Sequence, residues 1–168
     1  MIFMIKKIST IVIVLMTLVL TACSGKTGQG GSEHPTQEQA ANGDLREKTE
    51  SLNTLPTFLD EAHPDLVSIY ANVPNHQKLL EHIPCYCGCG DSAGHTSNYQ
   101  CFVHENFEDG SLQWDDHGTR CGVCLDIAYY SMERAEKGDN PMDIRKAVDN
   151  AYKEGYARPT NTPMPTGL

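Results

Sequence analysis

The spacing of apolar positions changes several times along the chain. Residues 8–20 form an apolar run of 13, relieved only by Ser9, Thr10 and Thr17. That is short for a bilayer span and matches the apolar segment of a signal peptide. Residues 24–43 then carry no aliphatic side chain larger than alanine. Such a stretch buries too little surface to fold and is expected to be a flexible tether reaching about 25 Å. Leu45, Leu52 and Leu55 are loosely spaced, Pro56 interrupts them, and a frayed helix is the most they predict.

From Pro64 the pattern tightens. Leu66, Ile69, Tyr70 and Val73 fall at i, i+3, i+4 and i+7, one face of a helix, with Pro64 suited to its first position. Asn75 can cap a short helix through Leu79, Leu80 and Ile83, which Pro84 ends. Across residues 85–120 neither a helical nor a strand period persists. An irregular loop of about 35 residues is hard to hold in a small domain unless crosslinks or metal coordination tie it down. Cys121, Cys124, Leu125, Ala128, Met132 and Ala135 then mark one face of a longer helix, closed by Gly138. Asn140 caps another, with Pro141 at its first position and a stripe of Ile144, Ala147, Val148, Ala151 and Tyr152. Residues 157–168 hold three prolines and read as a disordered tail.

The pattern therefore predicts a mainly α fold. Its parts are a signal peptide (1–22), a tether (23–43), a small helical domain with an irregular cysteine-rich loop (44–156) and the tail (157–168). A core of this size is adequate but benefits from staples. No second domain and no internal repeat is visible.

Targeting adds a location. Lys6 and Lys7 precede the apolar run, and Leu20-Thr21-Ala22-Cys23 resembles the bacterial lipobox. The resemblance implies cleavage before Cys23 and a diacylglycerol on its sulfur, which places the protein at the cell membrane on the extracytoplasmic face. Charge refines this. The chain carries a net charge of −9, and residues 1–22 contain two of its 13 bases and none of its 22 acids, so the processed chain is at −11. A chain that acidic has no field for nucleic acid or anionic headgroups, and the membrane is held by the acyl chains alone.

The candidate chemistry lies in the cysteines. Setting Cys23 aside leaves six: Cys85, Cys87 and Cys89 on alternate residues, Cys101, and the Cys121/Cys124 pair at a helix start. Six cysteines in an oxidising compartment permit 15 disulfide pairings, so bridges are the prior. Convergence of the thiolates on copper(I) or zinc(II) is the alternative, since both ions take such ligands. His82, His95, His104 and His117 share the window, and His117, four residues before Cys121, is the best imidazole candidate. Asp115, Asp116 and Asp126 are candidates to orient it. The helix start lowers the thiol pKa at Cys121 and Cys124, which also suits thiol–disulfide exchange, but no βαβ pattern surrounds them. No phosphate loop, Ser-His-Asp set or paired-carboxylate site is present, and binding is favoured over catalysis.

Ile83-Pro84-Cys85-Tyr86-Cys87-Gly88-Cys89-Gly90, then Gly94-His95, Asn98, Cys101-Phe102, His117-Gly118 and Cys121-Gly122-Val123-Cys124, resemble the PCYCGC-motif lipoproteins of Gram-positive-type bacteria. The resemblance spans residues 69–152. It implies a surface location and this domain, and it carries no implied activity.

Overall fold

The computed structural model describes residues 36–168. The expected signal peptide, Cys23 and most of the tether lie outside the described residues. Two strands open the described chain, β1 (Thr36–Gln39) and β2 (Leu45–Thr49). A 3-10 turn, Thr57–Leu59, leads to helix α1 (Pro64–Asn72), a 3-10 turn Val73–His76 and the single-turn helix α2 (Gln77–Leu80). After the cysteine segment come a one-turn helix α3 (Cys89–Ser92), a 3-10 turn Tyr99–Cys101, and strands β3 (Val103–Asn106) and β4 (Leu112–Asp115). A 3-10 turn, Asp116–Arg120, feeds helix α4 (Gly122–Glu136), and α5 (Pro141–Tyr152) follows.

The mainly α expectation is corrected. The described residues are 44% helix and 13% strand, with a four-stranded antiparallel sheet ordered β1-β2-β4-β3. The fold is α+β. The strands escaped the pattern because they are short and mostly polar: β1 is Thr-Gln-Glu-Gln, exposed throughout, and β2 is Leu-Arg-Glu-Lys-Thr. β1 is a sheet edge facing water and needs no apolar alternation, and the interior strand β2 buries the polar side chains of Glu47 and Thr49. β3 and β4 form the hairpin hidden in the supposed loop, turning at Asp109-Gly110, where Gly110 takes a φ of 85°. β2 joins this hairpin across a long chain interval, Arg46 opposite Asp115 and Thr49 opposite Leu112.

The helices agree better with their period. α1 begins at Pro64, α4 buries Cys124, Ala128 and Met132, and α5 buries Ile144 and Val148 under an Asn140 cap bonded to the Met142 N–H at 2.9 Å. Sheet and helices meet in an aromatic centre. Tyr70 of α1 packs edge-on to Phe102 with ring centroids 5.1 Å apart, and its hydroxyl donates to the Asp115 carbonyl at 2.9 Å. Trp114 is fully buried, and its indole N–H donates to Thr49 Oγ1 at 2.8 Å. Gly118 is obligatory beside this centre: a Cβ there would stand 2.6 Å from the Phe102 ring.

Residues 157–168, expected as a disordered tail, run back across the cysteine segment. Thr160 is buried, its N–H donates to the Cys85 carbonyl at 3.0 Å, and its Oγ1 accepts from the Cys85 N–H at 2.9 Å. The Ala157 N–H donates to the Tyr86 carbonyl at 3.1 Å. Arg145 of α5 completes the fastening by donating to the carbonyls of His82, Thr162 and Pro163. Prolines forbid a helix here, but the strap takes its hydrogen bonds from the segment it covers.

Candidate metal centre

Four pieces of chain deliver the thiols to one place. Cys85 and Cys87 lie on the irregular segment after α2. Gly88, at φ 90°, turns that segment into α3, which begins with Cys89. The Tyr99–Cys101 turn brings Cys101 in from the far side. Cys121 caps α4 and Cys124 lies in its first turn, three residues on and therefore on the same face. All six are free thiols.

Their sulfurs converge on Cys124. Its Sγ lies 3.2 Å from Cys85, 3.2 Å from Cys101 and 3.5 Å from Cys87. Cys85 is 3.4 Å from Cys87, and Cys89 is 3.7 Å from Cys101. Two donor sets emerge in which all ligand atoms lie within 4.8 Å of one another. One is Cys85, Cys89, Cys101 and Cys124; the other is Cys87, His117, Cys121 and Cys124. The seven sequence candidates are thus brought together. Two further groupings contain His95, one with Cys89, Cys101 and His117 and the other with the carboxylates of Asp44 and Asp115.

His117 comes from the turn between β4 and α4, with its N–H held by Asp115 Oδ1 at 2.9 Å. Its Nε2 faces Cys87 Sγ at 4.0 Å, while Nδ1 lies 3.2 Å from Asp44 Oδ1. A carboxylate on one imidazole nitrogen fixes the ring and makes the other nitrogen a better ligand. The orienting carboxylate is Asp44, buried just before β2 and also held by Arg120 and by Asn42 Nδ2 at 2.6 Å. The aspartates expected in this role do other work. Asp115 pairs with Arg46 at 3.1 Å, Asp116 accepts from the Leu45 N–H at 2.7 Å, and Asp126 is exposed. Asp44 was not visible as a partner in the sequence, being 73 residues from His117.

The other histidines divide. His95 is buried, with Nδ1 3.5 Å from Cys101 Sγ and no hydrogen-bond partner for Nε2. Its ring meets that of His117 at a centroid distance of 4.9 Å. His82 places Nδ1 on the Lys78 carbonyl, and His104 points from β3 outside the donor sets.

Protons in the cluster are unevenly shared. The Cys101 thiol pushes Cys85 up, but hydrogen bonding with Cys124, Cys87 and Cys89 outweighs it and brings Cys85 down to about 5. Hydrogen bonds with Cys121 and Cys124 pull Cys87 down. Burial opposes ionisation of Cys101, yet hydrogen bonds with Cys124, Cys85 and Cys89 leave it well below the usual thiol range. Cys89 and Cys124 are pushed up, first by Cys101. His117 rises to about 11 because Cys121 and Cys87 hydrogen-bond its imidazolium.

The arrangement suits metal binding better than thiol exchange. Cys124 is fully buried, and the sheet beside it is antiparallel throughout, without the βαβ unit of a thioredoxin-like site. The residues present fit a soft or borderline ion: thiolate sulfurs with one oriented imidazole.

A sequence model of one family, described as "Protein of unknown function with PCYCGC motif", matches residues 12–165. The chain belongs to that family. Comparison with curated proteins and with solved structures returns no match.

Proposed function

We propose that this member of the PCYCGC family is a lipid-anchored protein of the extracytoplasmic membrane face that binds copper(I) or zinc(II) through its thiolate cluster. Cys85, Cys87, Cys89, Cys101, Cys121 and Cys124 would hold the metal together with His117. The carrying observation is the hub at Cys124, with three other sulfurs within 3.5 Å. A disulfide gives each sulfur one partner; a metal ion gathers several. A tetrahedral ion with metal–sulfur bonds of about 2.3 Å spaces its sulfurs about 3.8 Å apart. The contacts of 3.2 to 3.7 Å need only a small expansion to meet that. The four-donor sets favour zinc(II) on geometry, and the sulfur-rich chemistry suits copper(I) equally. The bound ion would supply positive charge that the buried thiolates otherwise lack. Support for the anchor comes from Lys6, Lys7, the apolar run and the lipobox-like sequence ending at Cys23.

A second reading, a disulfide-stapled binding module, draws on two of the same contacts. Cys85 with Cys124 and Cys89 with Cys101 are close enough to be joined by a modest movement, which would leave Cys87 and Cys121 as the third pair. Metal content and free-thiol count on one anaerobically purified sample separate the two. Stoichiometric metal with thiols that become alkylatable on chelation supports the metal reading. Absence of metal, with six cysteines resistant to alkylation until reduced, supports the stapled one and defeats the first.

A further inference from the structure

The seven donors exceed what one tetrahedral ion can use. The set Cys85, Cys89, Cys101 and Cys124 would saturate one ion and leave Cys87, Cys121 and His117 over. Those three are not scattered. With Cys124 they form the second four-donor set, and Cys124 is the single atom source common to both. A thiolate sulfur retains lone pairs after binding one ion, so a shared Cys124 is a bridging ligand. Neither grouping that contains His95 adds a third ion: one shares its other three donors with the first two sets, and the other relies on Asp44 and Asp115, which Arg120 and Arg46 already neutralise.

The two sets differ in burial. Cys85, Cys89, Cys101 and Cys124 are each at most 1% exposed. In the other set only Cys124 is buried, while Cys87, Cys121 and His117 are partly exposed. They also differ in what they tie together. The inner set joins the Cys85 segment, α3, the Tyr99–Cys101 turn and α4 beneath the C-terminal strap. The outer set joins neighbouring pieces at one end of α4, with its imidazole held in place by Asp44.

We propose that the cluster is a two-ion, thiolate-bridged centre whose ions have unequal roles: an inner structural ion and an outer ion that exchanges, with Cys124 Sγ as the bridge. This rests on the soft-metal reading and goes further, to the number of ions and which one is cargo. The outer ion leaves by ligand exchange. An incoming soft donor, a thiolate of a small molecule or partner protein, bonds to it as the bond to His117 Nε2 or Cys121 Sγ breaks. The ion keeps its oxidation state and the released ligand takes up a proton. With two divalent ions, four positive charges face six thiolates, whereas a single ion in the inner set would leave two further thiols, Cys87 and Cys121, without a cation.

The test uses the full chain in detergent, loaded anaerobically with zinc(II) and, separately, with cobalt(II). Two zinc ions per chain are expected, one removed readily by a chromogenic chelator and the other released about tenfold more slowly or only with unfolding. Two cobalt ions bridged by one sulfur couple magnetically, so the paramagnetic signal should grow to one equivalent and fall toward the second. The double variant H117A/C121S should retain one slowly released ion and a cooperative thermal transition. One zinc per chain in the unmodified protein would overturn the two-ion centre while leaving the soft-metal reading intact. Two ions released at one rate, or two uncoupled cobalt ions, would overturn it equally. No binding of zinc, cobalt or copper(I) would defeat the soft-metal reading itself.

Discussion

Single side chains decide how well the centre is prepared. Asp44 touches no sulfur, yet it holds the imidazole that faces Cys87. Removing its charge while keeping its shape, as Asp44→Asn, should weaken metal binding about 10–100-fold with the fold retained. Chelator competition alongside a thermal melt measures both. Tyr70, which is not itself a donor, offers a pH-dependent counterpart beside the cluster. Burial, and then the nearby Asp115 carboxylate, holds its hydroxyl well above the usual tyrosine value. The folded state thus keeps this proton after the unfolded chain has lost it. The stabilisation is complete below about pH 10 and falls as pH rises beyond it. Denaturant midpoints from pH 9 upward should decline in the native chain, and Tyr70→Phe should flatten that decline.

At the scale of elements, the strap 157–168 is the least expected contributor. It is built from proline and threonine and has no apolar stripe, so its order depends on hydrogen bonds to the Cys85 segment and to Arg145. Thr160→Val keeps the shape and leaves the buried Cys85 N–H without its acceptor, at a cost of about 1–3 kcal/mol. A urea titration should show the loss, and chelator access to the inner thiols should rise with it. The helices were readable beforehand because their buried positions recur with the helical period: Cys124, Ala128 and Met132 on α4, Ile144 and Val148 on α5. The sheet was not. Thr-Gln-Glu-Gln and Leu-Arg-Glu-Lys-Thr carry no alternation, and β2 finds β4 only through a pairing across more than 60 residues. The cysteines stood out through their number and the need to tie down the region between them. Asp44 did not, because nothing local marks an aspartate whose partner arrives from the other end of the sheet.

For the whole molecule, the cluster adds ties within the one core that also holds Cys85, Tyr86, Cys89, Tyr99 and Cys101. The sheet side packs through Tyr70, Phe102 and Trp114, while the segment from Cys85 to Cys101 has few large apolar side chains of its own. Metal binding would therefore be felt as folding free energy. Stripping the metal with a chelator under reducing conditions should lower the melting temperature, and restoring zinc(II) or copper(I) should raise it again. An unchanged transition in both states would mean the cluster does not stabilise the fold.

The strap also sets an order of events. Asp44 enters near the beginning of the described chain, the cysteines in its middle, and Thr160 at its end. A chain growing or emerging from its N-terminus presents all six thiols before the residue that covers Cys85 exists outside the exit. The centre is thus last to close, and for that interval its sulfurs are open to whatever ion or oxidant arrives first. What the cluster carries is decided by the surroundings in which residues 157–168 appear.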